Sequence, residues 1–236
     1  MDAAIATAGV ERPRFKDATR VLTSILSPLE KRCLIWLAQR MPARVNSDHL
    51  TGLALIAMLA AGVAYWFASL NPWIGLMVVN VCLALNWFGD SLDGTLARVR
   101  QHQRPRYGFY VDHIVDAFGM LFLVGGMSLS GYMSPYVALG LLAAYFMLSI
   151  EVYLATYSLG TFTITYFKVG PTELRILLAI GNLALLVHPT ATIFGRQYQL
   201  FDVGGVVAII GLMVTLVVST IRHTRELYRA EPIPKA

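Results

Sequence analysis

Charge is scarce in this chain. Only 14% of its 236 residues are Asp, Glu, Lys or Arg, whereas 56% are hydrophobic and the mean hydropathy is +0.60. That scarcity argues against an ordinary soluble domain and fits a polytopic membrane protein. Cysteine is scarcer still, with Cys33 in a polar segment and Cys82 in an apolar run. Two such residues provide no disulfide framework. Both read as small buried side chains in a protein with a reducing cytosolic face. The first forty residues lack an early apolar core, so no cleavable signal peptide is expected. No internal repeat is visible.

What the chain does have is long apolar runs. A helix needs about 20 apolar residues to cross a bilayer, and six runs qualify: 50–70, 73–97, 107–129, 135–159, 171–188 and 203–221. The second, third and fifth carry charge only toward one end. Basic residues cluster before the first run, between the second and third (Arg98, Arg100, Arg104, Arg106), around the fourth-to-fifth connection (Lys168, Arg175), and in the tail. The opposite side holds only Arg196. This positive-inside distribution puts both termini in the cytoplasm. It also explains the net charge of +5 as contact with anionic headgroups. No stacking platform or groove-reading motif accompanies the charge, so nucleic acid is not an expected partner.

Residues 28–41 read as an amphipathic helix, with Leu29, Cys33, Trp36, Leu37 and Met41 on one face and Glu30, Lys31 and Arg40 away from it. Such a helix lies along the cytoplasmic surface. Turns are expected at Asn71-Pro72 and Ser130-Gly131, a break at Gly170-Pro171, and a longer external loop over 188–202. The expected fold is an all-α integral membrane protein with six transmembrane helices preceded by the surface helix. Its parts are an N-terminal cytoplasmic segment (1–27, loosely attached up to about residue 19), a membrane domain (28–221) and a cytoplasmic tail (222–236).

Four carboxylates stand out against this background. Asp90 and Asp93 are three apart, and Asp112 and Asp116 are four apart, so each pair shares a helix face. The second run descends to the cytoplasm and the third returns from it, which brings the pairs to similar depth. Buried charges near a membrane are costly unless paired or bound to metal. Oxygen donors without nearby cysteines favour Mg²⁺ or Mn²⁺, and two such ions could clamp a pyrophosphate. Small residues at Gly94, Ala97 and Gly108 would admit a close-lying group, and Arg98 could hold a phosphate or carboxylate. A rival reading is a metal-ion transporter. It requires polar residues across the full membrane depth, and the outer stretches 77–85 and 118–125 offer almost none.

The string Asp90-x-x-Asp93-Gly94-x-x-Ala97-Arg98, nine residues, Gly108-x-x-x-Asp112-x-x-x-Asp116 resembles the signature of the CDP-alcohol phosphotransferases, membrane enzymes of phospholipid synthesis. Every fixed position of that signature is matched. The gap before Gly108 is one residue longer than in most members. The six-run layout and preceding amphipathic helix extend the resemblance over most of the chain.

The resemblance implies a CDP-linked donor bound through its pyrophosphate to divalent metal, attack by a hydroxyl acceptor, and release of CMP. Asp90, Asp93, Asp112 and Asp116 would hold the metal, and Asp116 would also serve as general base. Gly94, Ala97, Arg98 and Gly108 would bind the CDP part. His113 is an alternative base, because cations on all four carboxylates would depress the proton affinity of Asp116. An acceptor site is expected among Glu151, Lys168, Glu173 and Arg175. The implied donor is CDP-diacylglycerol, with a small polar alcohol as acceptor. The short chain favours this pairing. Asp112-His113 and Gly170-Pro171-Thr172-Glu173 are similar to choline and ethanolamine phosphotransferases, and favour CDP-ethanolamine or CDP-choline acting on diacylglycerol. A scaffold that has lost catalysis is a third alternative. A homodimer in a bacterial inner membrane, active at its cytoplasmic face, completes the expectation.

Overall fold

A computed structural model describes residues 19–21, 27–163, 170–231 and 233. The expectations for residues 1–18, Lys168 and Lys235 lie outside the described residues. Seven helices carry the described fold: α1 (Ser27–Arg40), α2 (Ser47–Ala68), α3 (Pro72–Val99), α4 (Pro105–Ser130), α5 (Pro135–Leu159), α6 (Pro171–Leu185) and α7 (Leu200–Ala230). Strand β1 (Thr19–Val21) pairs in parallel with β2 (Thr161–Thr163). The expected loop over 188–202 is largely a hairpin, β3 (Thr190–Ile193) against β4 (Arg196–Gln199), turned by Phe194 and Gly195 at positive φ.

Local signals start the helices where the chain must turn. Asn46 caps α2 in a reciprocal box with His49, and Asn71 and Ser134 cap α3 and α5 ahead of Pro72 and Pro135. Proline fits the first helical position because no intrahelical partner is lost there. Helix α7 continues well past residue 221 to Ala230, about 46 Å at 1.5 Å per residue.

Five helices, α2, α3, α4, α5 and α7, are long and apolar enough to cross a membrane. The protein is therefore an integral membrane protein. Helix α6, over the expected fifth span, has 15 residues, about 22 Å against a hydrocarbon core of about 30 Å.

Helix α2 is sandwiched between α3 and α4 through small residues. A Cβ on Gly126 would stand 2.2 Å from the Gly62 carbonyl oxygen, and one on Gly89 2.5 Å from that of Leu50. Such contacts let backbones approach closely where lipid supplies no hydrophobic drive. The main core joins Ala61, Tyr65, Leu76, Val79, Val124 and Met127. A second cluster seats α1 on the ends of α2 and α3 through Leu34, Ala38, Leu50, Leu92 and Leu96.

Helix α1 forms as expected, but its orientation differs. Leu34 and Ala38 are buried, whereas Leu29, Cys33 and Trp36 are exposed. Glu30 turns inward: its Oε1 accepts from Trp87 Nε1 (2.8 Å), Ser91 Oγ (3.3 Å) and Thr172 Oγ1 (2.7 Å). One carboxylate oxygen thus joins α1, α3 and α6. Cys82 is buried, and neither cysteine is in a disulfide.

Candidate active site

The signature residues sit on the facing ends of α3 and α4. Asp90, Asp112 and Asp116 each offer a carboxylate oxygen, and these oxygens lie within 4.8 Å of one another. Oxygens on one octahedral Mg²⁺ stand about 3.0 Å apart when adjacent and about 4.2 Å when opposite, so the three could close on one hard cation. Asp93 is held toward α2 instead. Its Oδ2 accepts from Thr51 Oγ1 at 2.6 Å, its carbonyl accepts from Ser47 Oγ at 2.9 Å, and its Oδ1 accepts from the Gly94 N–H. The structure thus gathers three of the four aspartates and seats the fourth, one turn further along α3, against α2.

Gly94 and Gly108 differ from the packing glycines. A Cβ at Gly108 would meet nothing within 4 Å, and one at Gly94 would make only ordinary contact with the Arg98 side chain, 3.5 Å away. Neighbouring helices therefore do not require glycine at these positions. Arg98 donates from Nη2 to Thr95 Oγ1 at 3.0 Å on the same helix. Arg100 clamps the α1–α2 connection to the end of α3, donating to the carbonyls of Met41 (2.8 Å), Pro42 (3.0 Å) and Val45. Across the α3–α4 connection, Arg104 pairs with Asp48 and lies 4.1 Å over the Tyr107 ring.

His113 is firmly oriented. Its Nδ1 lies 2.6 Å from the Phe109 carbonyl oxygen, one turn back on α4. A carbonyl only accepts, so Nδ1 carries a proton, and in the neutral form of the ring the lone pair is on Nε2. Phe109 lies against the ring at 4.1 Å, and Tyr153 of α5 meets it edge-on at 4.8 Å. His113 and Asp116 are three apart on α4 and share a face.

Sequence reasoning missed the α5 wall. Tyr145, Ser149 and Tyr153 form an i, i+4, i+8 line of hydroxyls. The Tyr145 phenol lies within reach of the charges of Asp116 and Asp90, and that of Tyr153 within reach of Asp116 and Asp112. Ser149 interacts with both phenols. A line of hydroxyls at four-residue spacing along α5 was the available signal.

The residues expected around the acceptor are dispersed. Arg175 reaches the aspartate cluster: its Nη2 donates to Asp90 Oδ2 at 2.6 Å and its Nε to Asn86 Oδ1 at 2.8 Å. Glu173 accepts from the Gly170 N–H at 3.0 Å and so caps α6. Glu151 points to α7, where its Oε1 meets His223 Nδ1 at 2.6 Å. The stretch 77–85 of α3 is also less apolar than the sequence suggested. Asn80 accepts from Asn182 Nδ2 at 2.8 Å, and Asn182 in turn accepts from the Tyr65 hydroxyl at 2.7 Å. These groups satisfy one another between α2, α3 and α6, as buried polar groups in a membrane must.

A family model described as CDP-alcohol phosphatidyltransferase matches residues 44–220, three quarters of the chain, including all four aspartates, His113 and Arg175. The chain belongs to the CDP-alcohol phosphatidyltransferase family. Membership makes it a membrane transferase of phospholipid synthesis, in a family that uses a CDP-alcohol donor and divalent metal. No curated protein matches the chain at a significant level.

Proposed function

We propose that this protein transfers a phosphatidyl group from CDP-diacylglycerol to a small polar alcohol and releases CMP. The meeting of Asp90, Asp112 and Asp116 within 4.8 Å, in a member of this family, carries the reading. Those three residues would hold Mg²⁺ or Mn²⁺, with Asp93 turning from Thr51 to complete a two-ion site. The metal supplies charge neutralisation of the donor's pyrophosphate. The cytidine part would lie over Gly94, Ala97 and Gly108, the two glycines being clear of neighbouring helices, and Arg98 would face its phosphates.

The acceptor hydroxyl enters between the carboxylates and the α5 wall of Tyr145, Ser149 and Tyr153. As the acceptor oxygen bonds to the phosphorus carrying diacylglycerol, the phosphorus–oxygen bond to CMP breaks. The hydroxyl proton passes to His113 Nε2, for which the tautomer set by the Phe109 carbonyl is the right one. Asp116 is then committed to the cation rather than to proton transfer.

Helix α6 completes a sixth crossing. It begins where Thr172 meets Glu30 of α1 and ends with Leu185 in the cluster that contains Phe201. The termini and the aspartates lie on the cytoplasmic side, consistent with the arginines around them. A homodimer in a bacterial inner membrane is part of the same proposal.

The test is CMP release by purified protein with Mg²⁺ across a panel of alcohols. Acceptor-dependent release from CDP-diacylglycerol supports the reading. Release only from CDP-ethanolamine or CDP-choline with diacylglycerol reverses the pairing, which Asp112-His113 favours. Release from neither donor rejects transfer.

A further inference from the structure

The guanidinium of Arg175 is placed for more than an ion pair. Its side chain is 15% exposed and that of Asp90 is 22% exposed. Two of its three nitrogens are engaged, Nη2 by Asp90 and Nε by Asn86. The third, Nη1, is buried and meets no hydrogen-bond partner among the described residues. A buried donor on a charged group is costly to leave unmade.

The surroundings hold this arm still. Asn86 is itself buried, and its Nδ2 donates to the Ala54 carbonyl at 3.1 Å, which aims its Oδ1 at Arg175. One turn before Arg175, Thr172 is tied to Glu30, and Glu173 caps the helix start. Asn182 ties the same helix to Tyr65 and Asn80 at its far end. A cation so fixed beside a metal-binding carboxylate does not favour a second cation. It favours the anion that the cation would bring with it.

We infer that Arg175 binds a phosphate oxygen of the CDP-linked donor through Nη1 while Nη2 stays on Asp90, so that it positions the metal ligand and the substrate together. The inference deepens the proposed transfer and rests on it. It moves Arg175 from the acceptor to the donor, and it assigns Asn86 as the residue that orients it. A guanidinium has the fork geometry to bridge carboxylate and phosphate, which a lysine lacks.

Because Arg175 repels a bare cation and attracts a nucleotide, its removal spares or strengthens Mg²⁺ binding while weakening CDP binding. A merely structural arginine would weaken both. The experiment is isothermal titration of the purified full chain with Mg²⁺ alone, and then with CDP at saturating Mg²⁺, for wild type, Arg175→Gln, Arg175→Lys and Asn86→Ala. The expected result for Arg175→Gln is Mg²⁺ binding as tight as wild type or up to about tenfold tighter, with CDP binding at least about tenfold weaker. Arg175→Lys should keep the Mg²⁺ affinity of wild type but lose most of the CDP affinity. Asn86→Ala should weaken CDP binding to a smaller degree. Unchanged CDP affinity in Arg175→Gln, or a parallel loss of both ligands in Arg175→Gln and Arg175→Lys, overturns the inference. Failure of the wild-type protein to bind CDP with Mg²⁺ overturns the proposed function itself, a result distinct from a wild type that binds and a variant that binds equally well.

Discussion

Glu30 offers a sharp test of how helix α1 reaches the candidate active site. A single oxygen of this residue accepts from Trp87, Ser91 and Thr172, which lie on α3 and α6. The Thr172 contact, at 2.7 Å, is the only one of the three made to α6. Three residues further along α6 stands Arg175, bonded to Asp90. Hydrogen bonds to a charged group contribute about 1.5–3 kcal/mol, and partial exposure puts this one at the lower end. A double-mutant cycle of Glu30→Ala and Thr172→Val is therefore expected to give a coupling energy of about 1.5 kcal/mol. Denaturant unfolding in mixed micelles measures it. Trp87 adds a local readout, because losing the Glu30 acceptor should change its emission in Glu30→Ala but not in Thr172→Val. A coupling energy below about 0.5 kcal/mol, the level at which independent sites usually add, would refute the claim that this oxygen joins α1 to α6.

Three further outcomes are expected. Cys33 is exposed on α1 and Cys82 is buried, so an impermeant thiol reagent should label one site per chain, and only from the cytoplasmic face. Labelling from the outer face would invert the topology. His113→Ala should lower kcat by about 10²–10⁴ with little change in CDP affinity, measured by CMP release and by titration. An unchanged rate would return the base role to Asp116. Gly126→Ala should destabilise the fold by about 1–3 kcal/mol, because its Cβ would collide with the Gly62 backbone. The folded fraction should bind CDP normally, since the collision lies in the main core, away from the aspartates. An unaltered unfolding midpoint would show that α2 and α4 separate at no cost.

The residues themselves carried much of this protein. Membrane residence followed from scarce charge, because a chain that cannot solvate its surface in water must place it in lipid. The turns at Asn71-Pro72 and Ser130-Gly131 were legible because turn and cap signals depend on neighbours in the chain. The aspartate signature needed only spacing along two helices. Other features depended on helix rotation and close approach, which spacing does not encode. Asp93 leans on Thr51 while Asp90 joins Asp112 and Asp116. Glu30 turns inward, Glu151 leaves for His223, and Arg175 grips the Asp90 carboxylate. In water, the polar face of a helix marks its outside. In a bilayer, lipid and core are both apolar, so periodicity blurs, and only the packed structure decides which polar side chains meet.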